Sequence, residues 1–120
     1  ANFYSDKRHL EIILNNLISN AIKYIDLYKK EPAITVDISI NEEYASISII
    51  DNGMGIKEEY LPKVFNMFFR ATQERSGSGL GLYIVHEAIS KLKGSVQVIS
   101  EFGQGSTFKI RIPNLFLKYE

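Results

Sequence analysis

The sequence predicts an α/β (α+β) two-layer sandwich, a mixed, mostly antiparallel sheet with helices on one face. Three observations predict it. Two stretches repeat apolar residues at intervals of three and four, the period of a helix with one buried face. Four shorter runs alternate apolar with polar residues, as half-buried strands do, and turn-forming residues join them in pairs. The order is helix, hairpin, short helix, loop, helix, hairpin, with no internal repeat.

The first helix runs from Asp6 to about Lys29, with Leu10, Ile13, Leu14, Leu17, Ala21 and Ile25 on its buried face and Ser5 or Asp6 as N-cap. Pro32 closes it. Ile34, Val36, Ile38 and Ile40 alternate with Thr35, Asp37 and Ser39 as a strand, Asn41-Glu42-Glu43 makes a turn, and Ala45, Ile47 and Ile49 form the second strand of an antiparallel hairpin ending at Asp51-Asn52-Gly53. A short helical stretch, Lys57 to Leu61, precedes the aromatic cluster Val64 to Arg70 and a polar loop from Ala71 to Ser78. The second long helix spans about Gly79 to Lys93, with Leu82, Val85, Ile89 and Leu92 on one face and Gly94 as its stop. Strands Val96 to Ser100 and Thr107 to Ile112 flank the turn Phe102-Gly103-Gln104-Gly105, and Pro113 ends the sheet. The expected division is a domain over 1–113 and a tail over 114–120.

With 120 residues, 45% of them hydrophobic, the chain has material for one core and none for a second domain. Fourteen Lys+Arg balance 14 Asp+Glu, so no global field draws it to nucleic acid or anionic lipid. The absence of cysteine excludes disulfides, thiolate metal sites and a cysteine nucleophile. No apolar run approaches the roughly 18 residues of a membrane span, and Ala1-Asn2-Phe3-Tyr4 does not read as a signal peptide. The expectation is a soluble, cytoplasmic domain without direct membrane contact.

Three polar clusters carry chemistry. Asn16, Asn20 and Lys23 share one helix face beside the buried stripe; they read either as a solvated surface or as a neutral oxygen ligand for a hard cation with an ammonium for phosphate. Asp51-Asn52-Gly53-Met54-Gly55-Ile56 follows a strand and reads either as a turn or as a place where a planar ligand approaches the backbone and gives an amine hydrogen to the carboxylate. Gly77-Ser78-Gly79-Leu80-Gly81-Leu82 opens a helix. Its spacing fits neither the dinucleotide fingerprint nor a Walker A loop, which leaves a phosphate site at a helix N-terminus or a flexible hinge.

In this order and at these intervals, the clusters resemble the catalytic, ATP-binding domain of two-component sensor histidine kinases, relatives of the gyrase, heat-shock-90 and mismatch-repair ATPases with the Bergerat-type fold. Asn16-Leu17-Ile18-Ser19-Asn20-Ala21-Ile22-Lys23-Tyr24 is similar to the N box, Asp51 to Ile56 to the first glycine box, Val64-Phe65 through Phe68-Phe69-Arg70 to the F box and Gly77 to Leu82 to the second glycine box. Gly103-Gln104-Gly105-Ser106-Thr107-Phe108 also fits, so the resemblance covers nearly the whole chain.

The resemblance implies ATP and Mg²⁺ as cofactors and a role for each matching residue. Asn20 would hold the metal, with Asn16 and Lys23 close to the phosphates and Tyr24 against the adenine. Asp51 would accept the adenine amine, Gly53, Gly55 and Ile56 would shape the pocket, and Ser106 would add its hydroxyl. Gly77, Ser78, Gly79, Leu80, Gly81 and Leu82 would form the phosphate-binding helix entrance, Ala71 to Ser78 the lid, and Arg70 would stabilise charge on the transferring phosphoryl. Where the related ATPases carry a water-activating glutamate, this chain has Asn16, which is no general base. The implied reaction is therefore transfer of the γ-phosphoryl to a histidine on a separate dimerisation domain, with a response regulator downstream. His9 and His86 are poor acceptors, so the chain is expected to lack its phosphoacceptor and to be monomeric. A non-catalytic nucleotide sensor and a serine kinase of the anti-sigma-factor type are the alternatives. Phe65, Phe68 and Phe69 are expected in the core, or, where exposed, as a docking surface.

Overall fold

A computed structural model describes residues 2–70 and 79–116. Its elements are α1 (Lys7–Lys23), β1 (Ile34–Ile40), β2 (Tyr44–Asp51), a 3-10 helix (Glu58–Lys63), α2 (Gly81–Lys91), β3 (Ser95–Glu101) and β4 (Gly105–Pro113). The strands form one sheet in the order β1-β2-β4-β3, every neighbouring pair antiparallel. The order places β4 in the middle of the sheet beside β2, bringing the ends of the two hairpins together at the pair Asp51 and Ser106.

Asp6 caps α1 by accepting the His9 amide at 3.1 Å, which satisfies one of the helix's orphan donors and holds the Asp6 carboxyl below its usual range. Ile13, Leu17 and Ala21 then face α2 and the sheet. The core is the seam where Ile13 and Leu17 meet Val85, Ala88 and Ile89 of α2 over Ile47 and Ile49 of β2 and Phe108, Ile110 and Ile112 of β4. Burying a side chain of this size contributes about 1.5–3 kcal/mol, so this seam anchors the molecule.

Three details differ from the sequence reading. Helix α1 ends at Lys23 rather than near Lys29, because the Tyr24 carbonyl accepts the Met54 amide at 3.0 Å and turns the chain into an irregular connection over 24–33. The left-handed residue that ends α2 is Lys93, with φ 59°, rather than Gly94. Gly94 serves packing instead: a Cβ there would overlap the Arg111 carbonyl oxygen and stand 2.8 Å from Ile112 Cδ1. Lastly, the helices stop short of edge strand β1. Val36, Ile38 and Ile40 lie opposite the buried Ile49, Ile47 and Ala45, yet they are exposed.

The segments at the two ends of the chain meet. Leu115 donates its amide to the Tyr4 carbonyl at 2.9 Å, Phe116 sets its ring edge-on to Tyr4, and the Asn114 side chain bridges Asn2, Tyr4 and Asn41. Among the described residues no helix is long and apolar enough to cross a membrane.

Candidate functional site

A cavity of about 640 Å³ opens between α1, the loop after β2 and the start of α2. The flank of α1 beside its buried stripe supplies Asn16, Asn20 and Lys23, and the residue after the helix supplies Tyr24. The end of β2 supplies Asp51, the following loop Gly55 and Ile56, and β4 the buried Ser106. Arg70 and the stretch Gly79, Leu80, Gly81 and Leu82 complete the opposite wall. The fold thus gathers sequence positions from 16 to 106 around one cavity. Gly53 lies behind the wall, where a Cβ would overlap the Tyr24 carbonyl oxygen. Gly77 and Ser78, with the expected lid, fall outside the described residues.

The cavity lining combines one acidic group with cationic ones. Asp51 is half-buried: burial pushes its carboxyl above the usual value, while the amides of Gly53 and Ser106 and the charge of Lys29 pull it back. Gly53 donates its amide to Asp51 Oδ1 at 2.9 Å, which fixes that oxygen. Apolar Met54, Ile56 and Val64 line the same cavity. Lys23, Arg70 and the start of α2, where Leu80 offers no side-chain cap, line it too. Asn16 faces that start: a Cβ on Gly81 would sit 3.5 Å from Asn16 Oδ1, and Asn16 Nδ2 donates to the Ile12 carbonyl at 2.7 Å. An apolar pocket lined by one carboxylate, two cationic side chains and the start of a helix fits a base joined to phosphates.

The described stretches that end at Arg70 and begin at Gly79 meet at one point. Phe68 and Gly79 both adopt left-handed backbones, with φ 64° and 79°, and a Cβ on Gly79 would stand 2.6 Å from the Phe68 carbonyl carbon. Only glycine fits there. The F-box aromatics divide: Phe65 packs edge-on to Phe108 at 6.2 Å, Phe69 lines the cavity beside Tyr60, and Phe68 is 64% exposed next to Met67 at 50%. His86 is exposed on α2, its ring tilted against Phe65 with 5.5 Å between ring centres.

Several site residues escaped the sequence reading. Ser100 accepts the Ile56 amide at 2.7 Å, donates to the Gly105 carbonyl at 2.9 Å and lies 2.8 Å from Ser106 Oγ, so it ties the glycine loop to β4. Its signal was a serine at the third inward position of β3, after Val96 and Val98. Lys57, Tyr60 and Phe102 form the rim, with Lys57 Nζ 5.2 Å from the Phe102 ring centre, and no pattern marked them.

Sensor kinases are among the known proteins to which this chain is similar. The model of the family described as histidine kinase-, DNA gyrase B-, and HSP90-like ATPase matches residues 5–115. The autoinducer 2 sensor kinase/phosphatase LuxQ of Vibrio cholerae is 38% identical over 117 residues, covering 91% of this chain and 13% of its own length. Among solved structures, the mycobacterial sensor histidine kinase MprB superposes with a TM-score of 0.77 at 29% identity, covering 92% of this chain and 73% of that one. Full-length ShkA in complex with AMPPNP superposes at 0.78 with 28% identity, covering 93% and 23%. This chain therefore spans a small part of its curated relatives and has the Bergerat-type ATP-binding fold; it belongs to the histidine kinase-, DNA gyrase B- and HSP90-like ATPase family, as an ATP-binding domain homologous to histidine kinase catalytic domains.

Proposed function

We propose that this chain binds Mg-ATP and passes its γ-phosphoryl to a histidine on a separate helical dimerisation domain, from which a response regulator takes it, in the cytoplasm. One observation carries the choice of transfer over hydrolysis. Asp51 is the sole carboxylate among the described residues lining the cavity, and its Oδ1 is committed to the Gly53 amide at the end of β2. The position facing the start of α2 is Asn16, whose amide is engaged with its own helix and takes no proton at neutral pH. Nothing described at the phosphate end activates water.

Each residue then has a task in the transfer. Asp51 accepts the adenine amine, and Ser106 and Ile56 bound the base. Tyr24 lies along its edge, while Gly53 and Gly55 let the backbone come close. Asn20 offers a neutral oxygen to the cation, in keeping with a metal that keeps few protein ligands. Bound Mg²⁺ supplies charge neutralisation across the phosphate oxygens. Asn16 and Lys23 hold the phosphates against Gly79 to Leu82, and Arg70 stabilises charge on the phosphoryl in flight. Exposed Met67 and Phe68, beside the cavity wall, present an apolar surface to the histidine-bearing domain.

The absence of a base has a measurable result. The chain alone, with ATP and Mg²⁺, releases phosphate at no more than a trace rate in a coupled assay. Steady turnover at the roughly 1–10 s⁻¹ common to enzymes would show that a water-activating group operates in this cavity.

A further inference from the structure

Lys29 lies outside the cavity wall, in the irregular connection between α1 and β1, yet its ammonium reaches the backbone on both sides of the base-binding end. Nζ donates to the carbonyls of Asn52 at 2.5 Å, Gly53 at 3.2 Å and Gln104 at 3.2 Å. A lysine ammonium has three protons, and here each has a carbonyl oxygen. Hydrogen bonds from a charged donor are stronger than neutral ones.

The three acceptors belong to two different loops. Asn52 and Gly53 follow Asp51 at the end of β2, while Gln104 precedes Gly105 and Ser106 at the start of β4. Asp51 and Ser106 form the last pair of the β2–β4 ladder, beyond which no strand pairing holds the two loops together. Past that point, the loops are linked by the Gly103 amide on the Met54 carbonyl, at 2.7 Å, by Ser100 between the Ile56 amide and the Gly105 carbonyl, and by the Lys29 ammonium, the one of these that reaches Asn52 and Gly53. The connection carrying Lys29 is strapped down independently, since the Asn52 side chain accepts from the Ala33 amide and donates to the Glu31 carbonyl, both at 2.8 Å. Removing the ammonium therefore loosens Asn52 and Gly53 without unfastening the connection.

We propose that Lys29 is a positioning residue for nucleobase recognition: by drawing the Asn52, Gly53 and Gln104 carbonyls onto one ammonium, it holds in place the Gly53 amide that orients the Asp51 carboxylate toward the edge of the base. The proposal rests on the reading of Asp51 as acceptor of the adenine amine. Its charge also favours the ionised, accepting form of that carboxylate. Lys29 touches no nucleotide itself; it acts through Asp51.

Calorimetric titration of ADP and of inosine diphosphate, whose base carries a carbonyl oxygen where adenine has its amine, tests it on this chain. Wild type prefers ADP. Lys29→Gln, which keeps a donor but not the charge, lowers the ADP:IDP affinity ratio about tenfold, and Lys29→Arg recovers most of the loss. Lys29→Met gives the same readout should the glutamine variant not fold. Equal weakening of ADP and IDP, or a ratio within about twofold of wild type, overturns the proposal while Asp51→Asn still abolishes the preference. If Asp51→Asn retains the preference for ADP, the reading of Asp51 itself is wrong, and the role of Lys29 falls with it.

Discussion

Asp51→Asn is expected to weaken ADP binding about 100-fold while raising the melting temperature of the unliganded domain at pH 7. The loss follows from geometry. The Gly53 amide holds Oδ1, so an asparagine keeps its carbonyl oxygen there and turns its NH₂ group toward the adenine amine, setting donor against donor. A charged hydrogen bond is worth about 1.5–3 kcal/mol, and leaving donors unpaired adds to the cost. The gain in stability follows from the raised carboxyl pKa, caused first by burial. An acid whose pKa rises on folding weakens the fold once ionised. That penalty is in full force above the folded-state pKa and disappears as pH falls below the unfolded value, given as 3.8. The melting-temperature gap between variant and wild type should therefore close as the pH is lowered toward 3.8. An equal gap at every pH would show that the carboxylate carries no such penalty.

Gly105→Ala should be the most damaging single methyl in the chain. Gly105 has φ 131°, and its Cβ would overlap the Asp51 carbonyl oxygen and stand 2.8 Å from Asn52 Cα, both backbone atoms that have no rotamer by which to yield. Strain of about 1–3 kcal/mol from the dihedral adds to a similar overpacking cost. The expected loss, about 3–5 kcal/mol, is a large share of the roughly 5–15 kcal/mol that holds a domain together. It also pushes apart the two loops that flank the base-binding end. Gly103 is the internal control: its φ is 89°, but a Cβ there meets nothing within 4 Å. Gly103→Ala should cost only the left-handed penalty, about 1–2 kcal/mol, and leave nucleotide binding intact. Urea denaturation of the two variants, with ADP titrations beside them, separates strain alone from strain plus collision.

The strands were legible because their pattern is local. Alternation placed β1, β2, β3 and β4 within two residues, and the glycines, asparagines and aspartate marked their turns. The end of α1 was not legible. Ile25 continues the three-and-four spacing, and what stops the helix at Lys23 is the capture of the Tyr24 carbonyl by an amide thirty residues away. Nor does the alternation in β1 reveal that no helix reaches it; Val36 and Ile38 look like core and are open to solvent. Of the residues recognisable by type at a fixed spacing, Asn16, Asn20, Lys23, Asp51, Gly55, Gly79 and Gly81 line the cavity. Lys29 was invisible because its partners are backbone carbonyls of Asn52, Gly53 and Gln104, which exist at every position and leave no mark in a sequence. Lys93 illustrates the same limit, since a lysine in a left-handed cap beside a glycine follows from tertiary packing of Gly94 on β4.

Phosphoryl transfer in trans is the most direct test of what the cavity does. The chain would be mixed with γ-labelled ATP, Mg²⁺ and a helical dimerisation domain bearing an acceptor histidine, and the product treated with acid or base. Label on the helical domain that is lost in acid, retained in base and absent with Asp51→Asn is the predicted result; an acid-stable label, or bound nucleotide with no label on the acceptor domain, would contradict it.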